Sequence, residues 1–327
     1  MAVTVLVTGA GAMPGIAIIN ALKGQGEVPV RVVAADMNPL SAGLYLSDRF
    51  HLVPAVEDPA FLDAVLEICR REKVEIIFPV IDDELPLFAE HRHEFAAQGI
   101  RVISNDAALV RLARDKYETY LACRRQGIPV PATWLAAAVS AADIPGFPVV
   151  VKPRRGRGTL NVFVARDERE LAFFVRYVPD SIVQEFVPGQ EYTIDVLTDF
   201  AGQVISVVPK ARLETKAGMQ VKGRVVKDAR LIDYAIGVHR AFNLAPRANV
   251  QCIAREGTTA LIEINPKFPA SLPFTVAAGV NAPLLLVRMA RGERVAPMVG
   301  EFQDGLTMLR YWRELFLPAE AVGRPPA

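Results

Sequence analysis

Asn249-Val250-Gln251-Cys252-Ile253-Ala254-Arg255-Glu256-Gly257-Thr258-Thr259-Ala260-Leu261-Ile262-Glu263-Ile264-Asn265-Pro266-Lys267 is the stretch from which the rest of the chain is best read. Two apolar, β-prone arms flank Gly257, so the segment reads as a hairpin. If the chain reverses at Gly257, Gln251 lies opposite Glu263. Glu263 and Asn265 are two apart, so both project from one face of their strand. Three side-chain oxygens then converge from adjacent strands. Hard oxygen donors with one formal charge suit Mg²⁺ that keeps nucleotide phosphate ligands, rather than a self-sufficient protein cage. The other reading is a plain polar sheet face. Leu261, Ile262 and Ile264 point to burial, where an unpartnered Glu or Asn is costly, and this favours the ligand assignment.

Upstream, Pro148–Val151 runs into Lys152-Pro153-Arg154-Arg155-Gly156-Arg157-Gly158-Thr159, four cations and two glycines on an expected hairpin loop. Exposed backbone N–H groups with fixed positive charge suit a polyphosphate, and an exposed basic hairpin tip would have the same composition. The chain has no Gly-Lys dipeptide, which excludes a P-loop. Ser181–Asp195 is a strand, a Pro188-Gly189 turn and a second strand that opens with Glu191. Backbone beside Glu185 suits an adenine edge and Glu191 a pair of ribose hydroxyls, although by itself the segment is also an ordinary hairpin.

The first third alternates strand and helix. Strands are expected over Val3–Val7, Val30–Ala35, Ile76–Val80 and Arg101–Ile103, with helices near Ile16–Leu22, Ala60–Arg71 and Glu84–Ala97 and a further helix over Ala107–Arg125. Such alternation implies a parallel sheet with right-handed crossovers. Gly9, Gly11 and Gly15 form GxGxxxG, one residue longer than the dinucleotide fingerprint, with Asp36 near the position of a ribose-binding acid. That supports at most a weak NAD reading, against a tight turn in a docking domain. Asp82, Asp83 and Glu84 follow a strand end and read first as helix caps.

At 327 residues the chain predicts two domains. Lys+Arg 37 against Asp+Glu 36 leaves a net charge of +1, which argues against a nucleic-acid partner. Three scattered cysteines give no disulfide framework or metal motif and fit a reducing cytoplasm. Met1–Leu22 is uncharged, but its glycines, Pro14 and lack of a basic start predict neither a signal peptide nor a membrane span. Cys252 alternates away from Gln251 and is expected in the core; His51, His91, His93 and His239 form no ligand set.

In order along the chain, these segments resemble the ATP-grasp superfamily, most of all one synthetase half of the carbamoyl-phosphate synthase large chain in stand-alone form. The resemblance implies an α/β fold (α+β in the second part). A Rossmann-like pre-ATP-grasp domain over 1–107 would precede an ATP-grasp domain over 108–327, with a lid subdomain near 125–188 and a main subdomain near 189–327. It implies phosphate contacts for Lys116, from Asp115-Lys116, and for Lys152, Gly156 and Gly158. It places the adenine hinge at Glu185, Phe186 and Val187, the ribose at Glu191, and magnesium at Gln251, Glu263 and Asn265. The cofactors implied are ATP and two Mg²⁺, with Mn²⁺ as a substitute. The partners implied are a small-molecule carboxylate and an amine, with no membrane and a homodimer allowed.

The chemistry expected is formation of an acyl phosphate, which an amine then displaces to form an amide. Lys267, Arg212 and Lys222 are the candidate catalytic side chains, with Lys210 and Arg224 as further carboxylate anchors on a polar excursion that would close over the site. Three departures stand out. The phosphate loop has only two glycines, Lys267 replaces the family's usual arginine, and Ala270 stands where carbamoyl-phosphate synthases carry another. Genuine carbamoyl-phosphate synthesis is therefore not expected. An NAD-linked oxidoreductase and a catalytically silent ATP-binding module are the competing functions.

Overall fold

The structure, a computed structural model, describes residues 2–156, 158–255 and 257–324. Its first unit runs β1 (Val3–Val7), α1 (Met13–Lys23), β2 (Val30–Asp36), α2 (Ala42–Leu46), β3 (Arg49–Leu52), α3 (Phe61–Glu72), β4 (Ile76–Phe78), α4 (Leu85–Glu90), α5 (Arg92–Ala97) and β5 (Arg101–Val102). These strands form a parallel sheet in the order β3-β2-β1-β4-β5. Every residue of β1 is buried, as expected for a strand with helices on both faces. The edge strand β3 and the short helix before it were not expected from the sequence. Four residues with one fully buried side chain leave too little periodicity to see.

The helix expected over Glu84–Ala97 is two helices that meet at His91. The helix expected over Ala107–Arg125 is also two, α6 (Ala107–Ala113) and α7 (Lys116–Arg125). Asp115 causes that second break. Its backbone is extended (φ −118, ψ 106) and its carboxylate accepts from the N–H groups of Tyr117 and Glu118, which restarts the helix with Lys116 in its first turn.

Next come β6 (Thr133–Leu135), β7 (Val149–Pro153), β8 (Phe163–Ala165), α8 (Glu168–Tyr177) and β9 (Ser181–Glu185). The strands form an antiparallel sheet in the order β6-β9-β7-β8 over its own small apolar core. The remaining elements are β10 (Gln190–Thr198), β11 (Val204–Lys216), β12 (Met219–Val225), α9 (Ala229–Phe242), β13 (Arg247–Arg255), β14 (Thr258–Asn265), α10 (Leu272–Ala277), α11 (Ala282–Ala290) and β15 (Thr307–Leu309). Their antiparallel sheet runs β14-β13-β10-β11-β12-β15.

The polar excursion expected around Lys210–Arg224 is instead the hairpin β11–β12 of this sheet, with Lys210 opposite Val225, Arg212 opposite Gly223 and register shifts on either side of Glu214. Buried Val207, Val208, Ala211 and Val225 hold its base down, while its outer half from Leu213 to the tip at Ala217-Gly218 is largely exposed. One apolar core joins β1 and α1 to Phe268, Leu272 and α11, fixing the first unit against the third. No helix among the described residues is long and apolar enough to cross a membrane.

Candidate functional site

Asp115 anchors the loop that follows β7. Beyond capping α7, its carboxylate accepts from Arg154 Nε at 2.8 Å and from Arg155 Nη2 at 2.8 Å, while Lys116 N–H donates to the Arg154 carbonyl at 3.1 Å. Burial alone would raise the Asp115 carboxyl, but the Arg154 hydrogen bond, the Glu118 N–H and the two guanidinium charges outweigh it and hold the group below the usual carboxylate range. Two of the expected loop cations are thus committed to positioning. Arg157, the fourth, lies outside the described residues, as does Glu256 of the β13–β14 turn.

Two lysines flank the same loop. Lys116 Nζ donates to the Gly156 carbonyl at 2.9 Å and stands 3.8 Å from Glu263 Oε1. Lys152 is buried on β7, and its Nζ donates to Gln184 Oε1 at 2.8 Å. Burial lowers the Lys152 ammonium to about 8, with Glu263 and Glu191 pulling it up and Lys116 pushing it down. Those opposing influences place Glu263, Lys116 and Glu191 within electrostatic reach of Lys152. Gly158 takes a positive φ of 64°, and a Cβ on Gly218 would come within 3.1 Å of the Gly158 backbone. The β11–β12 tip therefore packs directly on the phosphate loop, and only glycine permits that approach.

The candidate metal corner has the strand register expected from the sequence. Gln251 pairs with Glu263 and Asn249 with Asn265, with a bulge between Gln251 and Cys252. Gln251 Nε2 donates to Glu191 Oε1. That bond aims the amide nitrogen away and leaves Gln251 Oε1 available to a cation, so these residues fit Mg²⁺ as a mixed carboxylate–amide oxygen set. Gln251, Glu263 and Asn265 line one cavity of about 730 Å³ together with Gly156, Gly158 and Arg212.

The other sequence-derived candidates divide. Arg212 lines that cavity, held by Thr193 Oγ1 at 3.2 Å and the Gly218 carbonyl at 2.9 Å, with Nε 3.3 Å from Glu191 Oε1. Glu185 ends β9; its N–H and carboxylate both engage Ala132, and the chain leaves the sheet at Phe186 and Val187, outside the residues lining the cavity. Lys267 lines the cavity but its Nζ is paired with Asp82 of the first unit. Lys222 does not belong here: its exposed Nζ pairs with Glu214 at 2.6 Å along the outer hairpin. Arg224 is also exposed. Lys210 is fully buried and bonds Asp195 at 2.5 Å, Thr275 at 2.8 Å and Ser271 at 3.1 Å, so it anchors structure rather than substrate.

The acidic triplet is not the cap expected. Asp82 holds Lys267 and Asp83 holds Arg114, while buried Glu84 accepts from Thr8 Oγ1 at 2.7 Å and from the N–H groups of Val80 and Ile81. Burial raises the Glu84 carboxyl to about 7 against those three donors. The opening glycine turn is filled by the chain itself. Asp36 accepts the Gly11 N–H at 2.8 Å, and Cβ atoms on Gly9 and Gly11 would strike Ile81 and Ser41. Those contacts account for the two glycines as a tight turn within the first unit.

Asp195, Asn249 and Arg310 were missed. Asn249 Nδ2 donates to Asp195 Oδ1 at 2.9 Å behind Gln251. Arg310 Nη2 donates to the Ala270 carbonyl at 2.6 Å, bringing a guanidinium to the residue where the sequence lacks an arginine. No short motif announces a contact 40 residues apart.

The chain thus combines a parallel α/β unit with two antiparallel sheets and sets a basic loop beside the corner formed by Gln251, Glu263 and Asn265. Residues 5–103 match the family described as PylC-like, N-terminal domain, and residues 177–311 match ATP-grasp in the biosynthetic pathway with Ter operon. The carbamoyl phosphate synthase large chain of Gemmatimonas aurantiaca is 26% identical over 299 residues, which take in 85% of this chain and 26% of that protein. The chain thus spans about a quarter of the length of that relative. Campylobacter jejuni biotin carboxylase, solved as a β,γ-ATP complex, superposes with a TM-score of 0.73 at 14% identity over 93% of this chain and 74% of that one. The L-amino acid ligase of Bacillus licheniformis gives 0.69 at 18% identity over 94% and 78%. Residues 177–311 thus match an ATP-grasp family, and most of the chain resembles one synthetase half of the carbamoyl-phosphate synthase large chain.

Proposed function

We propose that this chain is an ATP- and Mg²⁺-dependent carboxylate–amine ligase that works through an acyl phosphate. The observation that carries the proposal is the corner where Gln251, Glu263 and Asn265 share a cavity with the basic loop, with Lys116 beside Glu263 and Lys152 within its electrostatic reach. Lys152 and Lys116 would hold the phosphates, with the loop fixed in place by Asp115. Bound by Glu263, Gln251 and Asn265, magnesium would neutralise charge on the β- and γ-phosphates.

Arg212, aimed into the cavity from β11, would hold the acid so that a carboxylate oxygen attacks the γ-phosphorus in line and ADP leaves. The amine nitrogen then attacks the acyl carbon, phosphate departs, and the nitrogen loses a proton to leave an amide. No covalent nucleophile from the chain is required; positioning alone supplies up to about 7–11 kcal/mol of such a barrier. The four-stranded sheet would act as the lid, with the β11–β12 tip against Gly158 closing the water-sensitive acyl phosphate from solvent.

The test is phosphate release from ATP·Mg²⁺ across a panel of amino acids and other acids paired with amines, with products read by mass spectrometry. An amide product that requires both ATP and Mg²⁺ is expected. Nucleotide-stabilised protein that forms no product with any pair would overturn the ligase and leave an ATP-binding module.

A further inference from the structure

Arg247, the first residue of β13, is 3% exposed, and none of its three guanidinium nitrogens has a hydrogen-bond partner among the described residues. It stacks on the Phe268 ring, 4.5 Å from the guanidinium carbon, and the Asp195 carboxylate, which lines the same cavity, attracts it without a hydrogen bond. Ser206, 1% exposed, also has an unpartnered hydroxyl. Both line a single cavity of about 20 Å³, otherwise bounded mainly by apolar side chains such as Leu197 and Phe268. A space of that volume holds one water-sized occupant.

Charge decides what that occupant is. Asp195 is the nearby carboxylate, but its oxygens are committed: Oδ2 accepts from Lys210 and Thr275, and Oδ1 from Asn249. Lys267, which also lines the cavity, is matched by Asp82. Lys210 and Arg247 therefore share one anion between two buried cations, and the surplus falls on Arg247. A buried guanidinium with no acceptor and only a shared counter-ion is a costly arrangement in a protein interior. Water would satisfy an N–H but not the charge. A small, weakly hydrated monoanion satisfies both, and the apolar remainder of the lining suits it.

We propose that Arg247 and Ser206 hold a single inorganic monoanion of chloride size in this cavity, behind the metal corner and distinct from the nucleotide site. The site is independent of the ligase assignment, since it draws on residues that no step of that reaction uses.

The experiment has two arms on the full chain. In solution, thermal unfolding is compared in sodium chloride, sodium bromide and sodium gluconate at equal ionic strength. The halides should raise the Tm by about 2–4 °C over gluconate in the unaltered chain. They should give no such rise in Arg247→Met, which keeps the length of the side chain and removes its charge. If that variant fails to fold, Ser206→Ala, which removes one donor, should weaken the halide response by several-fold. In crystals grown with bromide, an anomalous peak should lie against the Arg247 guanidinium. Equal halide responses in the variant and the unaltered chain, or a cavity holding water alone in bromide, would overturn the proposal.

Discussion

Lys116 Nζ lies 3.8 Å from Glu263 Oε1, joining the first turn of α7 to the strand that carries the candidate metal ligands. Glu263 is half-buried, so its charge is not needed to hold the sheet together. Glu263→Gln should keep the fold and its Tm, yet abolish Mg²⁺-dependent turnover. Circular dichroism and phosphate release together check this; undiminished turnover would remove Glu263 from the metal corner.

Lys152 gives a pH signature. Burial holds its ammonium down to about 8, while bound phosphate favours the charged form and raises it again. ATP binding should therefore draw in a proton between about pH 8 and 9, and affinity should fall as pH rises through that window. Calorimetry in buffers of different ionisation enthalpy measures the uptake. Lys152→Ala should weaken ATP binding at least tenfold and remove the proton linkage.

Asp115 joins the restarted helix to the basic loop. Asp115→Ala strands Arg154 and uncaps α7, at an expected cost of about 1–3 kcal/mol of stability with a weaker affinity for ATP. Because its native carboxyl is held below the ordinary range, its contribution is present at neutral pH and is lost as pH falls through that depressed value. Urea titrations at neutral and acid pH should show the variant and the parent converging toward low pH.

Glu84 has the opposite sign. Its carboxyl is raised from 4.5 to about 7, so the folded chain binds the proton more tightly than the unfolded one. The stability it contributes is full below the ordinary carboxylate value and is lost as pH climbs toward 7, by about 3 kcal/mol at most. Glu84→Gln should flatten the stability profile across that window relative to the unaltered chain. Parallel denaturant curves at pH 4.5 and 7.5 decide it; identical slopes in the two proteins would place an ionised Glu84 carboxylate in the native state.

Gln251, Glu263 and Asn265 were legible from sequence because a hairpin is local. A turn at Gly257 and the two-residue period of a strand fix who faces whom, whatever the rest of the molecule does. The same local logic identified β1, β2, β4 and β5 of the first unit, whose apolar runs are continuous, and missed the edge strand β3, whose run is not. Asp82 beside Lys267, Thr275 beside Asp195 and the lone burial of Arg247 could not be read that way. Each depends on elements 80 or 185 residues apart being brought together, or on which charges are excluded from water, and no periodicity along the chain encodes that. Sequence alone determined most of the elements and the pairing of Gln251 with Glu263; the packing of the three sheets decided that Lys116 stands beside Glu263 while Lys210 and Lys222 are paired elsewhere, because pairing and desolvation are properties of the folded interior.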